Sequence, residues 1–249
     1  MVLACHPDDD TLGFGAMIRK EMAAGKKVYV FMVTNGSATN VIAHLNGQAT
    51  NAWCTYTHSP AAEQYPTVAG VGLPLQQTDV EIARQAEFEQ AMLTLGVAGF
   101  RYGSFPDGDV ASFQADLRAA VLQYAADIGG MIDLKAHTWI NKVGTTVVED
   151  HPDHLAVGAV AKAIAASAPA WLASLRYFII WGLHGTSFPG LNVGTISVTG
   201  EDAGRVVMAA RCYGAWASQD GRYAFGEHSV HSAIAAMEAA NGQFSLYHA

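Results

Sequence analysis

Two short clusters carry side chains that can hold a metal ion and move protons. The first is His6-Pro7-Asp8-Asp9-Asp10; the second is His151-Pro152-Asp153-His154, with Glu149 and Asp150 just before it. Imidazole and carboxylate are both good zinc ligands. Three neighbouring carboxylates repel one another unless a cation or strong donors compensate, and a metal would do so. Asp8, Asp9 and Asp10 have an alternative use as caps of a helix starting near Thr11, where acids complement the helix dipole. One Asp does that well; three directly after His-Pro exceed it. His-x-x-Asp in one turn and His-x-x-His in the other can together give three protein ligands, the number catalytic zinc sites use while keeping a fourth position for water. The remaining histidines, His44, His58, His137, His184, His228, His231 and His248, lack such neighbours and read as surface or helix-end packing, although His137 and His184 end predicted strands beside the expected pocket.

Both clusters fall where a strand gives way to a helix. Val2 to Cys5 reads as a buried strand, and Thr11 to Ala24 as a helix stopped by Gly25. Lys27 to Thr34, rich in β-branched and aromatic residues, reads as a second strand, which makes a parallel βαβ unit. Helices are expected over Asp79–Leu95, Ala111–Ile128, Pro152 to about Ala168, Gly200–Tyr213 and Val230–Ala240. Strands are expected over Phe100–Tyr102, Met131–Trp139, Leu175–Leu183 and Gly194–Val198, the last antiparallel near a sheet edge. Pro152 suits a first helical turn, leaving His151 at the cap and His154 one turn in, facing the same way. The pattern is one α/β domain over 1–249, a doubly wound, mostly parallel, Rossmann-like sheet with helices on both faces. A weakly periodic insertion at about 37–77 reads as a long loop forming a wall or lid of the site.

The bulk properties narrow the partners. Half the residues (51%) are hydrophobic and 14% charged, so the chain is globular. Net charge is −8, from 14 Lys+Arg against 22 Asp+Glu, without a basic run beyond Lys26-Lys27, which argues against nucleic acid. Cys5, Cys54 and Cys212 are widely spaced and odd in number, which reads as three reduced thiols. The most apolar stretch, Leu155–Gly182, is broken by Lys162, Pro169 and Arg176, so no integral membrane segment is expected. The lack of a leader points to the cytoplasm, although a strand beginning at Met1 is also what trimming of a secreted precursor would leave. Oligomeric state is not legible.

Taken together, the clusters resemble those of the PIG-L/LmbE-like deacetylases, whose signature pairs His-Pro-Asp-Asp on the first βα turn with a later His-Pro-Asp-His. Val33-Thr34-Asn35-Gly36, the Arg84-x-x-Glu87 helix, Phe105-Pro106-Asp107-Gly108 and the Arg211–Gln219 segment are similar too. Asp10 departs from the family's usual Glu. The resemblance implies a single divalent metal, by default zinc, on His6, Asp9 and His154. It implies Asp8 as general base, His151 as the group that stabilises the oxyanion or protonates the leaving amine, and Arg84 and Asp107 as contacts to sugar hydroxyls. Asp153 is expected to orient the His151 ring and keep it charged. Trp53, Tyr56, Trp139 and Trp216 are candidates to stack on a sugar face.

The expected activity is hydrolysis of the N-acyl group, in particular acetyl, of an N-acylated amino sugar or glycoconjugate. Two alternatives are an amidase cleaving a larger thiol–sugar or natural-product conjugate and a non-catalytic sugar-binding domain. Phosphoester hydrolysis at a two-metal site is disfavoured, because the sequence offers no dense Asp/His set for a second ion and no Gly-rich phosphate cradle.

Overall fold

A computed structural model describes residues 1–179, 191–240 and 244–248. Seven strands form its central sheet: β1 (Val2–Ala4), β2 (Tyr29–Thr34), β3 (Gly99–Phe105), β4 (Ile132–His137), β5 (Leu172–Ile179), β6 (Val193–Ser197) and β7 (Phe244–His248), in the spatial order β6-β7-β5-β4-β1-β2-β3. The five strands β3, β2, β1, β4 and β5 are parallel, while β7 is antiparallel to both β5 and β6. The helices are α1 (Asp9–Leu12), α2 (Gly15–Ala23), α3 (Val41–Leu45), α4 (Gln77–Leu95), α5 (Gln114–Ile128), α6 (Pro152–Ala166), α7 (Gly200–Cys212) and α8 (Phe225–Ala239).

Alternation along β1 shows how the layers form. Val2 and Ala4 join Met17, Phe88, Met92, Val206 and Ile234, from α2, α4, α7 and α8, on one face. Leu3 and Cys5 join Leu117 and Val121 of α5 and Val157 and Val160 of α6 on the other. A strand covered on both faces must be apolar throughout, which is why β1 is a short unbroken apolar run. The sheet is therefore doubly wound, with helices on both faces. From β1 the chain steps outward to β2 and β3, then returns to the other side of β1 as β4. That reversal opens a crevice beyond the carboxyl ends of β1 and β4, the usual ligand position in such sheets.

The structure differs from the sequence reading in several elements. The expected first helix is two, α1 and α2, broken at Gly13–Phe14, and the break seats the buried Phe14 ring edge-on to His137 at 5.3 Å. α8 begins five residues earlier than expected and contains a non-helical residue at Val230. β7 has no counterpart in the sequence reading. Of the strand expected to reach Leu183, residues 172–179 are described, and His184 lies outside the described residues. The 37–77 insertion carries α3 and a hairpin (Pro66–Thr67 with Gly70–Val71), anchored by a small core of Val41, Leu45, Tyr65, Leu75 and Phe225.

Candidate metal centre

The turn after β1 is held by buried side chains. The Cys5 N–H donates to His137 Nε2 at 3.0 Å, which ties the end of β1 to the end of β4. Asp8 has φ 116°, in the left-handed half of the map where a non-glycine residue is strained. Two neighbours hold it there. Asp10 Oδ1 accepts from the Asp8 N–H (3.1 Å) and from the Tyr213 hydroxyl (2.5 Å), while Thr11 donates to Asp10 Oδ2. Arg84, buried in α4, donates to Pro7 O and, at 2.8 Å, to Asp8 Oδ2, and is itself braced by Glu87 at 3.0 Å. None of the three carboxylates caps α1: Asp8, at the cap position, makes no side-chain cap hydrogen bond, and Asp9 and Asp10 face elsewhere.

Asp9 faces the second cluster. His6 Nδ1, Asp9 Oδ2 and His154 Nε2 form a triangle with sides of 3.2, 3.1 and 3.1 Å. Tetrahedral zinc with bonds of about 2.0–2.1 Å sets its ligand atoms about 3.3–3.4 Å apart, so one ion fits all three. The outer atoms of the rings are engaged as a metal site requires. His6 Nε2 lies 3.3 Å from carboxylate oxygens of both Asp153 and Asp107. His154 Nδ1 lies 3.0 Å from Glu149 Oε2, while Glu149 Oε1 accepts from the Asp150 and His151 N–H groups. These contacts put a proton on the outer nitrogen and leave the inner lone pairs pointing at the common centre. His137 packs on His154 at 4.1 Å, but its Nε2 already accepts from Cys5, so it serves as floor rather than ligand.

Asp8 and His151 flank this centre. Burial raises the Asp8 carboxyl to about 6, while Arg84 pulls it back. Arg84 occupies Asp8 Oδ2 and leaves Oδ1 as the open acceptor. His151 caps α6, and its Nδ1 accepts from the Asp153 N–H at 3.3 Å, so the neutral ring carries its proton on Nε2. Burial, then the nearby rings of His6 and His154, lowers its pKa. All of these open on a cavity of about 520 Å³, whose lining includes His6, Asp8, Asp9, Asp107, His151 and His154. A second cavity, about 390 Å³, lies near Met1, Lys26 and Asp133. Of the three lysines that line it, Lys26 is paired with Glu21 and Asp133.

Two expected partnerships change. The Asp153 carboxylate goes to His6 and to the Gly108 and Val110 N–H groups, and meets His151 only through its main chain. Residues two apart on a helix do not face each other, so a carboxylate following a capping His by two cannot brace that ring. Arg84 also lines the cavity, where it donates to Asp8, Pro7 O and Glu87. Trp53 stacks on His231 at 4.2 Å, Tyr56 and Trp216 lie against His58, and Lys162 sits over the Trp139 ring. The sequence reading missed Tyr213 and the bracing role of Glu149. Glu149, two residues before His151, was visible as an acid beside the cluster; Tyr213 offered no such signal.

The profile of the family described as GlcNAc-PI de-N-acetylase (PIG-L) matches residues 1–165. Among curated proteins no sequence matches. Similar solved structures include the A40926 pseudoaglycone deacetylase Dbv21 (TM-score 0.60, 21% identity, covering 99% of this chain and 95% of that one). The N,N'-diacetylchitobiose deacetylase from Pyrococcus horikoshii is also similar (TM-score 0.55, 14% identity, 98% and 82%). So is GalB, the 4-carboxy-2-hydroxymuconate hydratase from Pseudomonas putida KT2440 (TM-score 0.53, 13% identity, 96% and 82%). At these identities the likeness is one of fold, and the fold hosts more than one reaction.

Proposed function

The chain belongs to the GlcNAc-PI de-N-acetylase (PIG-L) family, and from that premise we propose that it hydrolyses the N-acetyl group of an N-acylated amino sugar or glycoconjugate, using one divalent ion, zinc by default, on His6, Asp9 and His154. The observation that carries this reading is the triangle of ligand atoms 3.1–3.2 Å apart, with Asp8 and His151 lining the same cavity. When bound there, a divalent ion supplies Lewis acidity, polarising an amide carbonyl and acidifying water.

The chain's own groups do the rest. Asp8 Oδ1 takes the proton from the attacking water; a base near 6 is matched to that task at neutral pH. His151 donates from Nε2 to the charge developing on the carbonyl oxygen, or hands its proton to the departing amine. Asp153 and Asp107 hold the His6 ring, and Glu149 holds His154. Asp107 lies on the cavity wall, where its carboxylate can also meet a sugar hydroxyl. Strain at Asp8, beside the triangle of ligand atoms, supports a functional role for this turn, because such strain clusters at functional sites.

The test measures acetate released from a panel running from free N-acetylglucosamine to N-acyl glycoconjugates, alongside metal content. Metal-dependent release that Asp8→Asn removes is the expected result. No release from any member by the metal-loaded chain would overturn the assignment. The 520 Å³ cavity, walled partly by the 37–77 insertion, also favours amide cleavage of a larger conjugate. Turnover of free N-acetylglucosamine but not of bulky members would remove that option.

A further inference from the structure

Four residues far apart in sequence meet on the insertion side of the cavity. His44 comes from α3, Cys54 and His58 from the loop after it, and His228 from α8. One ligand atom from each lies within 4.8 Å of all the others. We propose that His44, Cys54, His58 and His228 form a second metal site, closed by four protein ligands and suited to zinc, which fastens the 37–77 insertion to α8.

The hydrogen bonding of the three imidazoles carries the assignment. Each uses Nδ1 on an outer partner: His44 on Ala49 O at 3.2 Å, His58 on Glu63 Oε1 at 3.3 Å, and His228 on Ala224 O at 2.8 Å. Carbonyl and carboxylate acceptors fix the proton on Nδ1, which leaves the Nε2 lone pair bare. In all three rings Nε2 is buried and has no hydrogen-bond partner. Buried polar atoms are nearly always satisfied, so three orphaned acceptors beside one thiol call for an acceptor of lone pairs. The Nδ1 contacts are the outer-sphere arrangement of metal-bound histidine.

Thiolate and imidazole ligands suit zinc or copper and exclude magnesium and calcium. Four protein ligands leave no open position, which marks a structural site. This set shares no residue with the set on His6, Asp9 and His154, and it contains no carboxylate to bridge two ions, so the two do not make a paired hydrolytic centre of the kind with metals about 3.5–4 Å apart. The backbone is shaped for the convergence. Gly47 has φ 72°, and a Cβ there would run into the His58 carbonyl oxygen, so only glycine lets the two ends of the loop close on the site. Trp53, Tyr56 and Trp216 pack around the imidazoles. The sequence offers no dense Asp/His set for a second ion and reads these histidines as packing residues; their convergence with Cys54 comes from the fold.

The experiment strips the full chain of metal, reloads it with zinc or cobalt(II), and counts bound ions. His154→Ala, which lacks the other centre, should retain one ion per chain and show a near-ultraviolet thiolate-to-cobalt charge-transfer band. Cys54→Ser should lose that band, and His58→Ala should bind one ion fewer than the unmodified chain. Zinc should slow alkylation of Cys54 in the unmodified chain at least tenfold. Unfolding of each variant in chelator, matching that of the unmodified chain in chelator, shows that the fold survives. A His154→Ala chain that binds no ion, or a cobalt band that persists in Cys54→Ser, overturns the proposal. Because the readout is made without the other centre, failure of the deacetylase reading leaves it intact.

Discussion

Asp8 is constrained from three directions at once: its backbone by Asp10, its carboxylate by Arg84, and the preceding carbonyl again by Arg84. Asp8→Asn should lower kcat by about 10²–10⁴-fold, the usual loss for a general base, with metal content unchanged. Arg84 gives a second prediction whose sign follows from charge. The guanidinium favours the Asp8 carboxylate and so lowers its pKa. In Arg84→Gln the proton is released at higher pH, and the acid limb of the kcat/KM profile should move upward. A residue that only touched sugar hydroxyls would instead raise KM and leave the limb in place. At this scale the sequence was legible where chemistry is local. His6 with Asp9, and His151 with His154, are neighbours in sequence and remain neighbours in space. Arg84, Tyr213 and the four ligands of the second site act over sequence distances that no spacing rule spans.

At the scale of elements, the site depends on how closely α6 approaches the sheet. Gly158 faces the end of β4, and a Cβ there would stand 2.6–2.7 Å from Thr138 C, Trp139 N and His137 O. Those are backbone atoms, so the helix must move. Gly158→Ala should cost about 1–3 kcal/mol in chemical denaturation. It should also weaken metal binding, because His151 and His154 ride on the first turn of α6; unchanged stability and affinity would refute this coupling. The parallel strands and the longer helices were legible because strand–helix alternation and apolar periodicity are local signals. The break at Gly13–Phe14 was not, since it is imposed by packing of Phe14 on His137. Nor was the order within the insertion, where a short helix and a two-residue hairpin offer too few turns for periodicity to show.

For the molecule as a whole, metal and stability are linked. An ion bound by the native state alone adds about 2.7 kcal/mol when its free concentration is a hundred times Kd. Zinc should therefore raise Tm, and chelation should lower it. With two independent sites, His154→Ala should keep part of the zinc-dependent rise, and the double variant His154→Ala/His58→Ala should lose it entirely. No helix among the described residues is long and apolar enough to cross a membrane.

The position of β7 has a consequence for how the chain assembles. β6 precedes β7 by some fifty residues, yet among the described residues β6 joins the sheet only through β7, which pairs with it on one side and with β5 on the other. Until residues 244–248 thread into that slot, β6 has no strand partner among the described residues and β5 lacks its β7 neighbour. Closing so distant a pairing is slow, and an unpaired flank recruits other chains. Refolding should therefore show a late phase in which aggregation competes with insertion of β7, while the parallel strands that bear the metal centre are already in register.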